Sequence, residues 1–417
     1  MESVTRREFM STVGMSIAAG GLAGLPLEQA MAQPIEALAE KMPRRVLGHM
    51  GWKTPAIGLG TMFHRSMWEN GHASTISPQQ SERLLNTALD LGVNCWETGR
   101  AYSNAEAMLG QVLTKRRDEV FMADKSHKLK AGKEGVLRDL EISLSNLKTD
   151  YIDCFSLHNC SSENELNMAM APNGAYEGLV QAKKEGKTRF IGMTSHSCRA
   201  WMKAMRQDLF DMYVIPHNSM SREFERGLKL ARKKNVVVWN MKPFGCGDTG
   251  VGLLNYDSSD RGQLPEVMKD EECLRFVLSN PGVTIAIPGS STLAYLKRNI
   301  AIAATFKPLS TKERADVTAR ADRIKTGVCG LCEKPCEFAC PNEVPISFIL
   351  SKKQMDSRFM YDTRQNSDYY SGMDHDYMDC DGCGECEAVC EQKFEIRKDM
   401  ATAHQRLSEL RAIKMTH

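Results

Sequence analysis

Eight cysteines crowd into residues 329–390 of this 417-residue chain, in two runs. Cys329, Cys332, Cys336 and Cys340 have gaps of two, three and three residues. Cys380, Cys383, Cys386 and Cys390 have gaps of two, two and three. Thiolates this close together ligate metal more readily than they pair as disulfides. The second run has the spacing of bacterial ferredoxins, in which three cysteines hold one [4Fe–4S] cluster and the fourth reaches its neighbour. The first run carries one extra residue and needs a bulged loop. The reading is two [4Fe–4S] clusters, the second set by the firmer motif. Exchange of the fourth ligands would put Cys329, Cys332, Cys336 and Cys390 on one cluster and Cys380, Cys383, Cys386 and Cys340 on the other. A pair of zinc sites is the alternative.

A second set of residues suits proton and carbonyl chemistry. Glu97, Arg100 and Tyr102 follow one β-branched run, in "CWETGRAY". Asp124, Lys125 and His127 follow the next, in "FMADKSH", and His158 ends a third, in "CFSLHNC". Each alone reads as an ordinary strand end or packing residue. On three successive strand ends they form a set. Tyr102 suits a general acid, because a lysine ammonium beside a phenol favours the phenolate. A carboxylate can hold the lysine, and His158 can orient a carbonyl oxygen.

Elements that would place these residues alternate regularly. The expected strands are 55–62, 93–99, 120–126, 151–158, 189–196, 212–218, 236–243 and 283–289. Helical patterns lie between them, such as "EGVLRDLEISLSNLK", where Val136, Leu140, Leu144 and Leu147 recur at helical spacing. Eight such units predict a (β/α)8 barrel over residues 44–320, with its site at the carboxyl ends of the strands. A doubly wound sheet would want G-x-G-x-x-G after its first strand, which "IGLGTM" lacks. Residues 321–417 then form a small, mainly helical ferredoxin-like iron–sulfur domain. Its final stretch, "EIRKDMATAHQRLSELRAIK", reads as an amphipathic helix, and residues 354–379 between the cysteine runs read as a loop or short helices capping the barrel mouth. His375 in that segment is expected to be a solvated surface residue.

Composition narrows the class. Hydrophobic residues are 42% and charged residues 25%, as in an ordinary globular protein. A net charge of +2 gives no reason to expect nucleic acid as partner. At the other end of the chain, Arg6-Arg7, a weakly apolar run to Leu25 and Ala30-Met31-Ala32 resemble a twin-arginine export signal over residues 1–32. That route carries folded proteins, so clusters assembled in the cytoplasm would cross in place.

The middle of the chain resembles the aldo-keto reductases. "PAIGLGTM" resembles their first barrel strand, "ETGRAYSNAEAMLGQVL" their D-T-A-x-x-Y segment and "VFMADKSH" their lysine strand. "DYIDCFSLHN" and "IPGSSTLAYLKRN" resemble their histidine strand and cofactor loop. The resemblance implies a tetrad of Tyr102, Lys125, His158 and Glu97, with Glu97 where the family has Asp. It implies nicotinamide contacts, NADP(H) or NAD(H), from Thr194, Ser195, Asn218, Ser290, Ser291 and Asn299. Tyr295 replaces the arginine that grips a 2′-phosphate, Arg298 replaces a glutamate, and Met241 replaces a stacking aromatic. One branch of the family also carries a C-terminal 4Fe–4S domain.

The expectation is a periplasmic oxidoreductase. It would interconvert a carbonyl and an alcohol on a small, sugar-like molecule and relay electrons through its clusters to a periplasmic or membrane redox partner. The Tat translocase would be its other partner. Two alternatives stand beside it: an NADP(H)-dependent reductase with structural clusters, and a non-catalytic electron-transfer or binding subunit on a decayed barrel.

Overall fold

A computed structural model describes residues 26–62, 76–245, 268–325, 329, 332, 335–350, 370 and 375–414. The twin-arginine stretch, Cys246 and most of the segment expected over the barrel mouth lie outside the described residues.

Strands β3 (Leu59–Gly60), β4 (Cys95–Glu97), β5 (Phe121–Ser126), β6 (Ile152–Leu157), β7 (Thr188–Thr194), β8 (Met212–Pro216), β9 (Val237–Met241) and β10 (Ile285–Ala286) pair in parallel, in sequence order. Bridges Ile57↔Ala286 and Gly60↔Gly289 join the first strand to the last and close the sheet. A hairpin of β1 (Arg44–Val46) and β2 (Lys53–Pro55) precedes it. Its Leu47, Met50 and Trp52 pack with Phe121, Trp239 and Val237 of the barrel interior, plugging the amino-terminal mouth. Sequence reasoning did not anticipate that plug.

Local chemistry explains the outer helices. Ser77 and Gln80 form a reciprocal cap on Pro78–Asp90, with proline at the first position. In Gly132–Leu147, Val136, Leu140, Leu144 and Leu147 are buried, as their spacing predicts, and Lys148 stops the helix at φ 54°. Two short helices, Leu27–Met31 and Ile35–Glu40, lie ahead of the barrel. Their Leu27, Ala30, Leu38 and Ala39 join the main core. Ala30 of the expected cleavage motif is thus fully buried within a helix.

Strand register decides what faces the site. Side chains alternate across a strand. Phe121 and Ala123 fill the barrel interior, while Met122 joins the helix-facing core. The same parity turns Lys125 inward and Asp124 outward. Gly192 is needed in this interior: a Cβ there would lie 3.0 Å from Cys154 Sγ and from Met212 O, and closer still to Ser156 Oγ.

At the end of β8, His217 is fully buried against Phe276, its Nδ1 3.1 Å from Ser221 O. Burial holds its imidazole down at about 4. The unfolded chain therefore binds a proton that the folded chain refuses between the ordinary value near 6.5 and about 4. Stability is full above that window and falls as pH drops through it. Between pH 7 and 5 this one residue should cost about 2 kcal/mol. Urea midpoints of the wild type and His217→Leu at both pH values test this. Equal pH slopes in the two proteins would refute it.

The C-terminal residues form a core of their own. Val344, Ile346, Ile349 and Leu350 pack with Ile396, Met400, Ala403 and Leu407 of Ile396–Lys414 and with Cys329, Cys336, Cys386 and Cys390. The predicted amphipathic helix is there, with its apolar residues three or four apart.

Candidate active site

Glu97 ends β4, Lys125 lies near the end of β5 and His158 follows β6 directly. Tyr102 comes from the loop after β4, its backbone turned by Tyr102 N donating to Gly99 O at 2.8 Å. Lys125 is 2% exposed, and its ammonium donates to Glu97 Oε1 and to Thr98 O. The longer glutamate, placed where a shorter acid was expected, closes on the lysine without pulling it from the phenol: Lys125 Nζ lies 4.5 Å from the Tyr102 ring centroid. Gly99 leaves room for this, since a Cβ there would meet Lys125 Cε at 3.0 Å. Tyr102 and His158 meet edge to face, centroids 5.8 Å apart. Burial pulls the Lys125 ammonium below its ordinary value, and its partners Glu97 and Thr98 O oppose that by favouring the charged form. Burial, joined by Lys125, His196, His127 and Lys242, holds His158 well below its ordinary value. His158 is therefore a neutral imidazole, suited to donating a hydrogen bond to a carbonyl oxygen.

Asp124, singled out beside Lys125 in the sequence, does not reach this site. It faces the helices and is pushed well above the usual carboxylate range by burial and by nearby Glu106. Arg100 also points away from the reacting groups. Its guanidinium donates to Glu106 and lies 3.9 Å from Asp139. His127 is exposed and lies 3.3 Å from Asp139. His375 is half-exposed beside Asp379 at 3.6 Å, as a solvated histidine would be.

Of the residues expected at a dinucleotide, several are engaged in building loops. Thr194 Oγ1 accepts from Asn159 N at 2.8 Å. Ser195 Oγ donates to Ser197 O at 3.1 Å. Asn218 Oδ1 accepts from Met220 N and Ser221 N, and its Nδ2 donates to Lys242 O at 3.1 Å. Ser290 and Asn299 are different. Asn299 Nδ2 donates to Ser290 Oγ at 3.1 Å, while its Oδ1 is buried with no hydrogen-bond partner among the described residues. An orphaned buried acceptor suits a ligand that brings a donor. Ser291 is half-buried beside them. Tyr295 lies at the start of Leu293–Ala304, and Arg298 is tied to Asp270, its Nη2 2.8 Å from Oδ1. Met241 packs at the edge of the barrel interior.

The cysteines form two neighbourhoods. Cys336 is acted on by Cys329, Cys332 and Cys390, and burial raises its thiol. Cys386 is acted on by Cys380 and Cys340, and burial pushes it up to about 11. Cys390 is thus a neighbour of the first run and Cys340 of the second. Among the described residues no three His, Cys, Asp or Glu side chains converge on a single ion. A cubane asks for something looser, because each thiolate holds a different iron. Cys383 is exposed, and Cys383 N donates to Asp381 at 3.0 Å. Among the described residues no helix is long and apolar enough to cross a membrane.

A model of the aldo/keto reductase family matches residues 56–252. A methylglyoxal reductase of Salmonella typhi is 31% identical over 236 residues, covering 56% of this chain and 76% of that protein. An aldo-keto reductase of Bacillus halodurans in its holo form shares the fold with a TM-score of 0.55 at 20% identity, over 67% of this chain and 96% of that one. An aldo-keto reductase of Klebsiella pneumoniae in complex with NADPH does so at 0.52 and 24%, over 67% and 94%. A closed parallel barrel with Glu97, Lys125, Tyr102 and His158 gathered at one end agrees with these matches, and the chain belongs to the aldo/keto reductase family and is an oxidoreductase.

Proposed function

We propose that the chain interconverts a carbonyl and an alcohol on a small, sugar-like molecule, with Tyr102 as acid and base. The observation that carries this is Lys125 Nζ at 4.5 Å from the Tyr102 ring, held by Glu97. The ammonium favours the phenolate and so eases loss of the phenol proton to a carbonyl oxygen. Neutral His158 donates to that oxygen and fixes its direction.

Ser290, Ser291 and Asn299, with Thr194, Ser195 and Asn218, would hold a nicotinamide dinucleotide. The orphaned Asn299 Oδ1 supports this assignment. Such a cofactor supplies hydride when bound. The Klebsiella relative's NADPH complex supports the phosphorylated form, whereas Tyr295 stands where the resemblance puts an arginine for the 2′-phosphate and Arg298 is paired with Asp270.

Residues 321–417 are read as a ferredoxin-like domain with two [4Fe–4S] clusters. One is held by Cys329, Cys332, Cys336 and Cys390, the other by Cys340, Cys380, Cys383 and Cys386. The two cysteine neighbourhoods support that division. Such clusters pass single electrons when present, which gives the chain a route to a redox partner. Residues 1–32 are read as a Tat signal, residues 44–320 as the barrel, and the periplasm as the destination. A periplasmic enzyme meets no free pool of reduced dinucleotide, and clusters answer that need. Burial of Ala30 in the barrel core argues against cleavage after Ala32 once the chain has folded.

The test uses full-length chain purified without oxygen. Iron, sulfide and any released nicotinamide or flavin are measured, and methylglyoxal reduction is followed with NADPH and with reduced methyl viologen. About eight irons and turnover with viologen support the relay. Turnover with NADPH alone makes the clusters structural. No turnover with either donor, on this carbonyl and on aldoses, favours a binding subunit.

A further inference from the structure

Arg100 is a costly residue in an unusual place. Its side chain is mostly buried, and so are both carboxylates beside it. It donates through Nη1 to Glu106 Oε2, and its Nε faces Asp139 Oδ1 at 3.9 Å. Both carboxylates also bind elsewhere. Glu106 accepts from Ser143 Oγ at 2.9 Å and Asn146 Nδ2 at 2.8 Å, on Gly132–Leu147. Asp139 accepts from Ser126 Oγ at 2.7 Å and His127 N at 3.1 Å, the two residues after Lys125. Arg100 N also donates to Lys125 O at 3.1 Å. Two residues on is Tyr102, and Ser103 next to it has φ 53°, a left-handed conformation uncommon for a residue with a side chain. One guanidinium therefore ties the loop carrying the phenol to the strand end carrying the ammonium.

We infer that Arg100 is a positioning residue for the reaction: held between Glu106 and Asp139, it fixes Tyr102 at its distance from Lys125 while touching no reacting atom. The inference rests on the assignment of Tyr102 as the acid. A guanidinium holds its donors in a fixed planar fork, whereas a lysine ammonium is a point charge on a flexible stem and sets the loop less firmly. An ångström of slack between phenol and ammonium is enough to cost about a hundredfold in rate. It also withdraws the charge that favours the phenolate, so the phenol should ionise at higher pH.

The test reads Tyr102 directly. Ultraviolet titration of full-length chain, taken as a difference against Tyr102→Phe, reports its ionisation without any assay. Arg100→Met should raise that pKa by about one unit, and Arg100→Lys by less. In methylglyoxal reduction, with whichever donor supports turnover, Arg100→Met should lower kcat at least tenfold and leave KM within about threefold. In the Tyr102→Phe background it should change nothing further. An unmoved phenol titration, or an additive loss in that background, overturns the inference. Full turnover by Tyr102→Phe instead removes the assignment on which it stands, and the two failures are distinct. Should Arg100→Met not fold, Arg100→Lys with the same titration decides.

Discussion

Lys125→Met is expected to cost about 10²–10³-fold in turnover and about 3–5 kcal/mol in stability, and Glu97→Gln added to it should restore most of the second but none of the first. The two losses have different origins. Lys125 and Glu97 are both nearly buried and paired. Removing the ammonium alone leaves a carboxylate with no counter-charge in a place that water does not reach, and breaking such a pair from one side is strongly destabilising. Neutralising Glu97 as well takes away that buried charge, although Thr98 O still lacks the donor it had. Turnover does not follow, because Lys125 also faces the Tyr102 ring and no glutamine at 97 replaces its effect on the phenol. The alkaline limb of the rate profile should move to higher pH in both variants, as the phenol loses the cation that favours its ionised form. Urea midpoints and pH–rate profiles of the three proteins decide. Recovery of turnover in the double variant would make Lys125 a partner of Glu97 only.

The contrast between Lys125 and Asp124 explains what the sequence made legible. Both follow the same run and both carry charge, and residue type does not separate them. Parity does: counted from the inward-facing Phe121 and Ala123, Lys125 points in and Asp124 points out. Strand existence was readable because β-branched and aromatic residues alternate with helical patterns at regular intervals, whereas register came from the fold. What joins distant segments was not. The triad of Glu106, Arg100 and Asp139 spans a loop and two helices, and no spacing in the chain marks it. The plug formed by Leu47, Met50 and Trp52 is a short hairpin whose turn glycines, Gly48 and Gly51, mark a bend but not where its side chains pack. The helices at 27–40 were hidden for another reason. Small residues with a cleavage-like motif read as a leader, yet the same small side chains let Ala30 and Ala39 pack closely on Leu293–Ala304. Small apolar residues serve both ends, a leader and a close helix contact.

Cys336→Ser is expected to remove about half of the iron and to destabilise the C-terminal region without unfolding it, while the barrel is unaffected. The C-terminal core is small, and four of its buried side chains are themselves cysteines: Cys329, Cys336, Cys386 and Cys390. Val344, Ile346, Ile349, Leu350 and the face of Ile396–Lys414 make a small core, so on the proposed iron–sulfur reading the region would lean on metal for its stability. Barrel packing belongs to separate clusters of residues and should not feel the loss. Comparison with Cys390→Ser tests the division of ligands. Cys336 is acted on by Cys390, whereas Cys386 is acted on by Cys340, so Cys390→Ser and Cys336→Ser should abolish the same cluster and Cys340→Ser the other. Iron content, electron paramagnetic resonance of the reduced protein and limited proteolysis read these outcomes. Loss of one common signal in Cys336→Ser and Cys390→Ser, with the signal sensitive to Cys340 intact, supports exchanged fourth ligands. Loss of the Cys340-sensitive signal in Cys390→Ser would mean that each run holds its own cluster. Wild-type chain that binds zinc and no iron would replace both clusters with structural metal sites and leave the barrel to work without a relay.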